Sequence, residues 1–185
     1  MAKKDKSSKA TAKEEKDKKP EFKIVRSKEY ISLFLGIEQK DSEKKEEKDG
    51  KAISTLISLL TEKEDKQIKE DALKALKNEA GKELLLKAIA ISEVNAVRRI
   101  LVAACWEAGL DFSKYLPFFI RLAIISDLQI CLDVLTIVED MQGPFENKAL
   151  LDAIKNLEEA GKVKDATTLS LYEDMIGNLK RHLTN

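Results

Sequence analysis

The chain has 185 residues, with Lys+Arg and Asp+Glu both totalling 33, so a 36% charged composition leaves no net charge. A whole-molecule field that would draw the protein to nucleic acid or to a membrane is thereby excluded, and any electrostatic function must be local. Seven Gly, three Pro and 5% aromatics, against abundant Ala, Leu, Ile, Lys and Glu, favour helix over sheet.

Residues 1–21 form a Lys-rich tail, with eight Lys against four acids over the first twenty positions and no large apolar side chain beyond Met1. Nothing there offsets the entropy of ordering, so a disordered segment is expected. Residues 22–37 (FKIVRSKEYISLFLGI) are an apolar island, read as a short docking helix that Ser27 starts and Gly36 ends. Such a segment covers either an exposed end of the folded part or a partner. Residues 38–50 mix acids and lysines without periodicity and read as a charged linker.

From Lys51 to Asn185 the pattern becomes regular. Eight amphipathic segments fall into pairs at about 51 to 61 with 64 to 77, 81 to 91 with 93 to 108, 113 to 125 with 127 to 141, and 145 to 160 with 165 to 182. Thr61 with Glu64 and Ser126 with Gln129 have capping-box spacing, and Ser92 with Asn95 is a weaker version. Gly109, Gly143 and Gly161 each follow an apolar-periodic run, where a helix end wants a left-handed residue. The segment 114–125 has Arg121 as its one internal charge, so neighbours must cover it on nearly all sides. Pro117 is tolerated there because it falls in the first turn.

A shift of 34 lays Ile91-Ser92-Glu93-Val94 on Ile125-Ser126-Asp127-Leu128, Leu101 on Leu135 and Gly109 on Gly143. One helix pair per period of that size points to an α-solenoid, in which stacked units bury one another's apolar faces. The runs Ile68-Lys69-Glu70-Asp71-Ala72-Leu73-Lys74-Ala75-Leu76 and Val97-Arg98-Arg99-Ile100-Leu101-Val102-Ala103-Ala104-Cys105 resemble the second helix of HEAT and armadillo-type repeats. The third unit departs from that pattern, with Cys131-Leu132 in place of Val-Arg, and the fourth hardly matches it. The expected fold is all-α: about four HEAT-like helical hairpins in a short right-handed solenoid behind the disordered tail.

Catalytic parts are scarce. His182 is the one histidine, and with Cys105 and Cys131 on separate apolar helical faces it cannot complete an ordinary zinc site. The Gly-Lys dipeptides at 50, 81 and 161 lack the flanking residues of a phosphate loop. Glu139-Asp140 and Glu158-Glu159 are neighbours that diverge by about 100° on a helix. We therefore expect no catalytic, metal or cofactor site. Without an apolar leader or a stretch of roughly 20 apolar residues, no membrane insertion is expected and a cytoplasmic protein is indicated.

A binding face is more legible. Asn95, Arg99, Val102 and Trp106 share one stripe, and the shift of 34 sets Gln129, Asp133, Thr136 and Asp140 beside it. A shift of 29 adds Lys66, Glu70, Leu73 and Lys77, so a middle rung reads Glu70, Arg99, Asp133. Such alternation suits inter-repeat ion pairs. The family resemblance implies that the second helices line a concave face, which would make the same stripe a ligand surface. Trp106 also opens an aromatic run through Phe112, Tyr115, Phe118 and Phe119, half of the ten aromatics in the chain. The expected function is non-enzymatic presentation of a concave helical face to a protein or peptide partner. Trp106, Val102, Phe112 and Tyr115 would give affinity, and Arg98, Arg99, Asp133 and Asp140 register. The alternative is a nucleic-acid-associated helical-repeat protein using the Lys-rich tail and a local basic patch, disfavoured by the mixed sign of the stripe.

Overall fold

A computed structural model describes residues 43–61 and 66–183. The expected tail, docking segment and the first part of the linker, with Glu64 of the first capping box, lie outside the described residues. Within them the chain is all-helical: α1 (Glu43–Thr61), α2 (Lys66–Ala75), α3 (Glu79–Ile91), α4 (Asn95–Glu107), a 3-10 turn (Ser113–Tyr115), α5 (Leu116–Ile125), α6 (Leu128–Asp140), α7 (Asn147–Gly161) and α8 (Ala166–Leu183). No helix among them is long and apolar enough to cross a membrane.

The eight expected helices appear, with instructive differences at their ends. Residues 43–50, read as linker, are helix. Their Glu and Lys are good helix formers, and extending a helix already nucleated by Ile53, Leu56, Ile57 and Leu60 costs little. An ion pair of 2.8 Å between Asp49 and Lys87 ties this turn to α3. Thr61 ends α1 rather than capping α2, and its hydroxyl donates back to the Ile57 carbonyl at 2.7 Å. At the next two junctions Ser92 and Ser126 are C-terminal residues of α3 and α5. Asp127 caps α6 instead, accepting from the Ile130 N–H at 3.1 Å, while Val94 precedes α4 with no side-chain cap. Asn78 and Asp165 cap α3 and α8 in the same way.

Of the three glycines expected at helix ends, Gly109 takes φ +61 just past α4, as the left-handed position requires. Gly143 also has positive φ, yet lies beyond the extended C-terminal residue Met141, in the loop before α7, where its N–H donates to the Ser113 hydroxyl at 2.8 Å. Gly161 is helical and buried. A Cβ there would lie 2.9 Å from the Leu169 Cδ1, the tip of a side chain on α8.

Helices of each pair pack together, α1 on α2, α3 on α4, α5 on α6 and α7 on α8, and contacts between pairs join α1 to α3 and α4, α4 to α6, α5 to α7, and α6 to α8. One continuous set of buried side chains runs from Ile53 to Leu179. α5, the segment expected to need covering, buries Leu116, Phe118, Phe119, Ile120, Leu122 and Ala123, and Pro117 falls in its first turn. Phe119 meets Phe112 and Phe118 edge-on, with centroids 5.3 and 5.1 Å apart. Tyr172 is fully buried and donates its hydroxyl to the Ala123 carbonyl at 3.3 Å, fastening α8 to the end of α5.

Burial also fixes the register between the second and third pairs. In the first helices a shift of 34 matches buried Leu85, Leu86, Ala88 and Ile89 with buried Phe119, Ile120, Leu122 and Ala123. In the second helices the matching shift is 33: Val97, Leu101, Val102, Ala104, Cys105 and Ala108 correspond to Ile130, Val134, Leu135, Ile137, Val138 and Met141, all buried. The connector between α5 and α6 is one residue shorter than that between α3 and α4, which accounts for the difference.

Candidate functional site

α4 and α6 lie side by side, each backed by its own first helix. At 100° per residue, the buried positions of α6 leave an outward arc holding Leu128, Gln129, Leu132, Asp133, Thr136, Glu139 and Asp140. On α4 the corresponding stripe is Asn95, Arg99 and Trp106. Both stripes meet along a seam. The Asn95 amide donates to the Asp127 carboxylate at 3.2 Å, and the Arg99 guanidinium donates to the Gln129 carbonyl at 3.1 Å. Asp133 is half-buried here. Burial pushes its carboxyl above the ordinary aspartate range; Arg99 opposes this, and the charges of Asp127 and Glu107 reinforce it.

The structure divides the residues expected to bind a partner. Arg99 and Asp133 are brought together at the seam, while Trp106, 39% exposed, and exposed Asp140 lie toward the C-terminal ends of the same two helices. Val102 is not a surface residue: it is 0% exposed and forms the floor between α4 and α6, because the centre of a stripe that faces a neighbouring helix is interface rather than surface. Arg98 is half-buried and turned away, its guanidinium donating to the Ser92 carbonyl at the end of α3. Phe112 is also core, 1% exposed under the Lys82 ammonium and against Phe119. Tyr115 is half-buried beside it at 6.2 Å, and burial together with Glu79 and Glu83 pushes its phenol up.

The expected rung is half present. Arg99 acts on Asp133, but across α2 and α4 the ion pair is Lys69 with Glu107, 2.7 Å apart, rather than one through Glu70. Leu128 and Leu132, 40% and 47% exposed and one turn apart on α6, went unrecognised in the sequence. Their signal was available, since they fall outside the arc that Ile130, Val134, Ile137 and Met141 define.

The loops around Phe112 form a second polar cluster with a structural use. Lys82 donates to the Asp111 carbonyl at 2.9 Å, and Asp111 accepts from the Ser113 N–H at 3.0 Å. Burial works to raise the Asp111 carboxyl, and hydrogen bonds from Ser113 and Gln142 with the Lys82 charge outweigh it, holding the group low. Glu79 is held low by its hydrogen bond to Lys82. A shallow cleft of about 410 Å³ between α5 and α7, lined by Pro117, Arg121, Ile124, Asn156, Glu159 and Ala160, contains neither a thiol nor an imidazole. Among the described residues no three His, Cys, Asp or Glu side chains gather as metal ligands would. The two thiols are free and buried, Cys105 raised far above its usual range by burial and Cys131 pushed up to about 11 by the same cause.

No family model matches the chain, and no curated protein matches it. The seam between α4 and α6 carries an excess of carboxylates, with exposed Trp106 on α4 and exposed Leu128 and Leu132 about 100° further round α6 on its outward face.

Proposed function

We propose that the protein is a non-enzymatic cytoplasmic interaction scaffold whose helix pairs stack in a row as a short HEAT-like α-solenoid, presenting the outward face of its second helices to a protein or peptide partner. Support for the stacking comes from the contacts of α4 with α6 and α6 with α8, and from the correspondence of buried positions between the second and third pairs. Support for the binding role comes chiefly from Trp106. A tryptophan is expensive to leave in water, and here it remains 39% exposed on a helix anchored by buried Val97, Leu101 and Val102. Large aromatics on rigid supports are what interface hot spots are made of, commonly contributing about 2 kcal/mol or more.

Affinity capture from the native host with the full chain and with Trp106→Ala tests this. Loss of one or more specific proteins in the variant is expected, and an identical captured set would remove the seam from consideration.

A further inference from the structure

The seam is acidic although the chain is neutral. Exposed or half-exposed Glu107, Asp133, Glu139 and Asp140 lie on α4 and α6, and Asp127 just before α6, with Arg98 and Arg99, of which Arg98 is occupied by the Ser92 carbonyl. Lys69 reaches in from α2 to pair with Glu107. The compensating charge is concentrated elsewhere in the sequence: residues 1–28 hold ten Lys and one Arg against five acids. Within that region one stretch, residues 22–31 (FKIVRSKEYI), combines Phe22, Ile24, Val25, Tyr30 and Ile31 with Lys23, Arg26 and Lys28 against a single acid, Glu29. An apolar and basic segment is the complement of a face that is apolar at Trp106, Leu128 and Leu132 and acidic at Asp133, Glu139 and Asp140.

Chain length permits the contact. α1, through which the N-terminal residues join the described part, packs directly on α4. The eleven residues 32–42 span up to about 40 Å when extended, and crossing a layer two helices thick takes roughly 20 Å. A tether of this kind holds the segment at an effective concentration on the order of 1 mM, so even a contact of about 100 µM affinity would be roughly nine-tenths formed.

We propose that residues 22–31 dock within the same molecule on the α4/α6 seam and occupy the face until a partner displaces them. Trp106 and Leu132 take the apolar side chains, and Asp133, Glu139 and Asp140 take Lys23, Arg26 and Lys28. This deepens the reading of the seam as a docking surface by naming its resident occupant, and makes partner binding a competition rather than a simple association.

Trp106 is the one tryptophan in the chain, so its fluorescence reports on the seam of the intact protein. Acrylamide should quench it weakly in the wild type. The K23E/R26E/K28E variant, or wild type in roughly 0.5 M salt, where such ion pairs are screened, should raise the quenching constant about two-fold. Reversing the face as well, with D133K/E139K/D140K in the same chain, should restore protection. Equal quenching of wild type in low and high salt and of the triple variant would overturn the proposal. So would protection that appears only on raising the protein from roughly 1 to 100 µM, far below the tethered concentration, because the occupant would then be a second copy. Either failure leaves the seam open to other partners, a reading that the capture experiment judges separately.

Discussion

Two helical glycines should differ in how much the same substitution costs, and the contrast tests whether close backbone approach fixes the packing at Gly81. Alanine replacing glycine in a helix ordinarily gains about 1 kcal/mol. At Gly81, in the first turn of α3, the added Cβ would lie 2.7 Å from the Leu76 Cα and 2.8 Å from its carbonyl oxygen. These are backbone atoms, in a turn fixed by the bond of 2.8 Å from the Asn78 N–H to the Leu76 carbonyl and by the Asn78 side chain, which accepts from the Gly81 N–H at 2.8 Å. Relief requires moving α3 against α2, and overpacking of that kind costs about 1–3 kcal/mol. Gly81→Ala should therefore lose up to about 2 kcal/mol after the propensity gain, a fall of as much as roughly 1 M in the urea midpoint for a slope near 2 kcal/mol/M. At Gly161 the near atom is the Cδ1 of Leu169, 2.9 Å away at the tip of a side chain 36% exposed, which can rotate outward. Gly161→Ala should change stability by no more than about 1 kcal/mol in either direction. Urea unfolding followed by far-UV circular dichroism measures both, and a Gly81→Ala midpoint at or above wild type would refute the close-approach argument.

Asp127→Ala removes the cap of α6 and the partner of Asn95, and should cost about 1 kcal/mol, read as a lower melting temperature. Asp133→Asn should act through pH: with its carboxyl raised in the fold, the native state retains a proton that the unfolded chain has lost, so stability falls as pH rises above roughly 4. The variant should thus melt higher than wild type near neutrality and show no advantage below pH 3 or so, where both states are protonated; an equal gain at both would exclude the carboxyl as the cause. Asp140→Lys replaces an acid in the last turn of α6 with a cation, which a helix C-terminus favours by about 0.3–1 kcal/mol, so its melting temperature should rise. Both thiols should resist a disulfide reagent at mild alkaline pH until the protein unfolds, as expected for Cys131 pushed up to about 11 and for Cys105, held higher still, while rapid titration of either in the native protein would contradict its burial.

The helices were legible because each has a face dictated by a run of spaced apolar residues, and the need to cover α5 followed from its single charge. Connector length was not legible. Ser126 has the chemistry of a cap and so does Asp127; choosing the first preserved a uniform shift of 34, whereas the choice of Asp127 shortens the connector and moves the second helices to 33. That one residue decides neighbours. Under the uniform shift Arg99 aligns with Asp133, while burial aligns it with Leu132, and its guanidinium reaches Gln129. Val102 and Phe112 were misplaced for a related reason: spacing shows which residues share a side of a helix but not which helix or loop will later cover that side. Phe112, near a turn, is enclosed only because the turn folds beneath Lys82 and against Phe119.

The seam is also where the molecule departs most from electrostatics arranged for the fold alone. Several carboxylates have defined structural work, two of them at the seam itself: Asp49 pairs with Lys87, Glu79 with Lys82 and Asp165 caps α8, while at the seam Glu107 pairs with Lys69 and Asp127 caps α6. Asp133 instead is half-buried near two like charges, and the cation acting on it, Arg99, donates to Gln129. Glu139 and Asp140 occupy the last turn of α6, which holds no basic residue and where the helix dipole disfavours negative charge by about 0.3–1 kcal/mol each. Exposed Trp106, Leu128 and Leu132 add apolar surface in contact with water. Each of these choices costs stability, and a basic, apolar segment laid along the seam would reverse the sign of all of them together. That shared reversal, more than any single residue, is why the seam is read as a surface made to be covered.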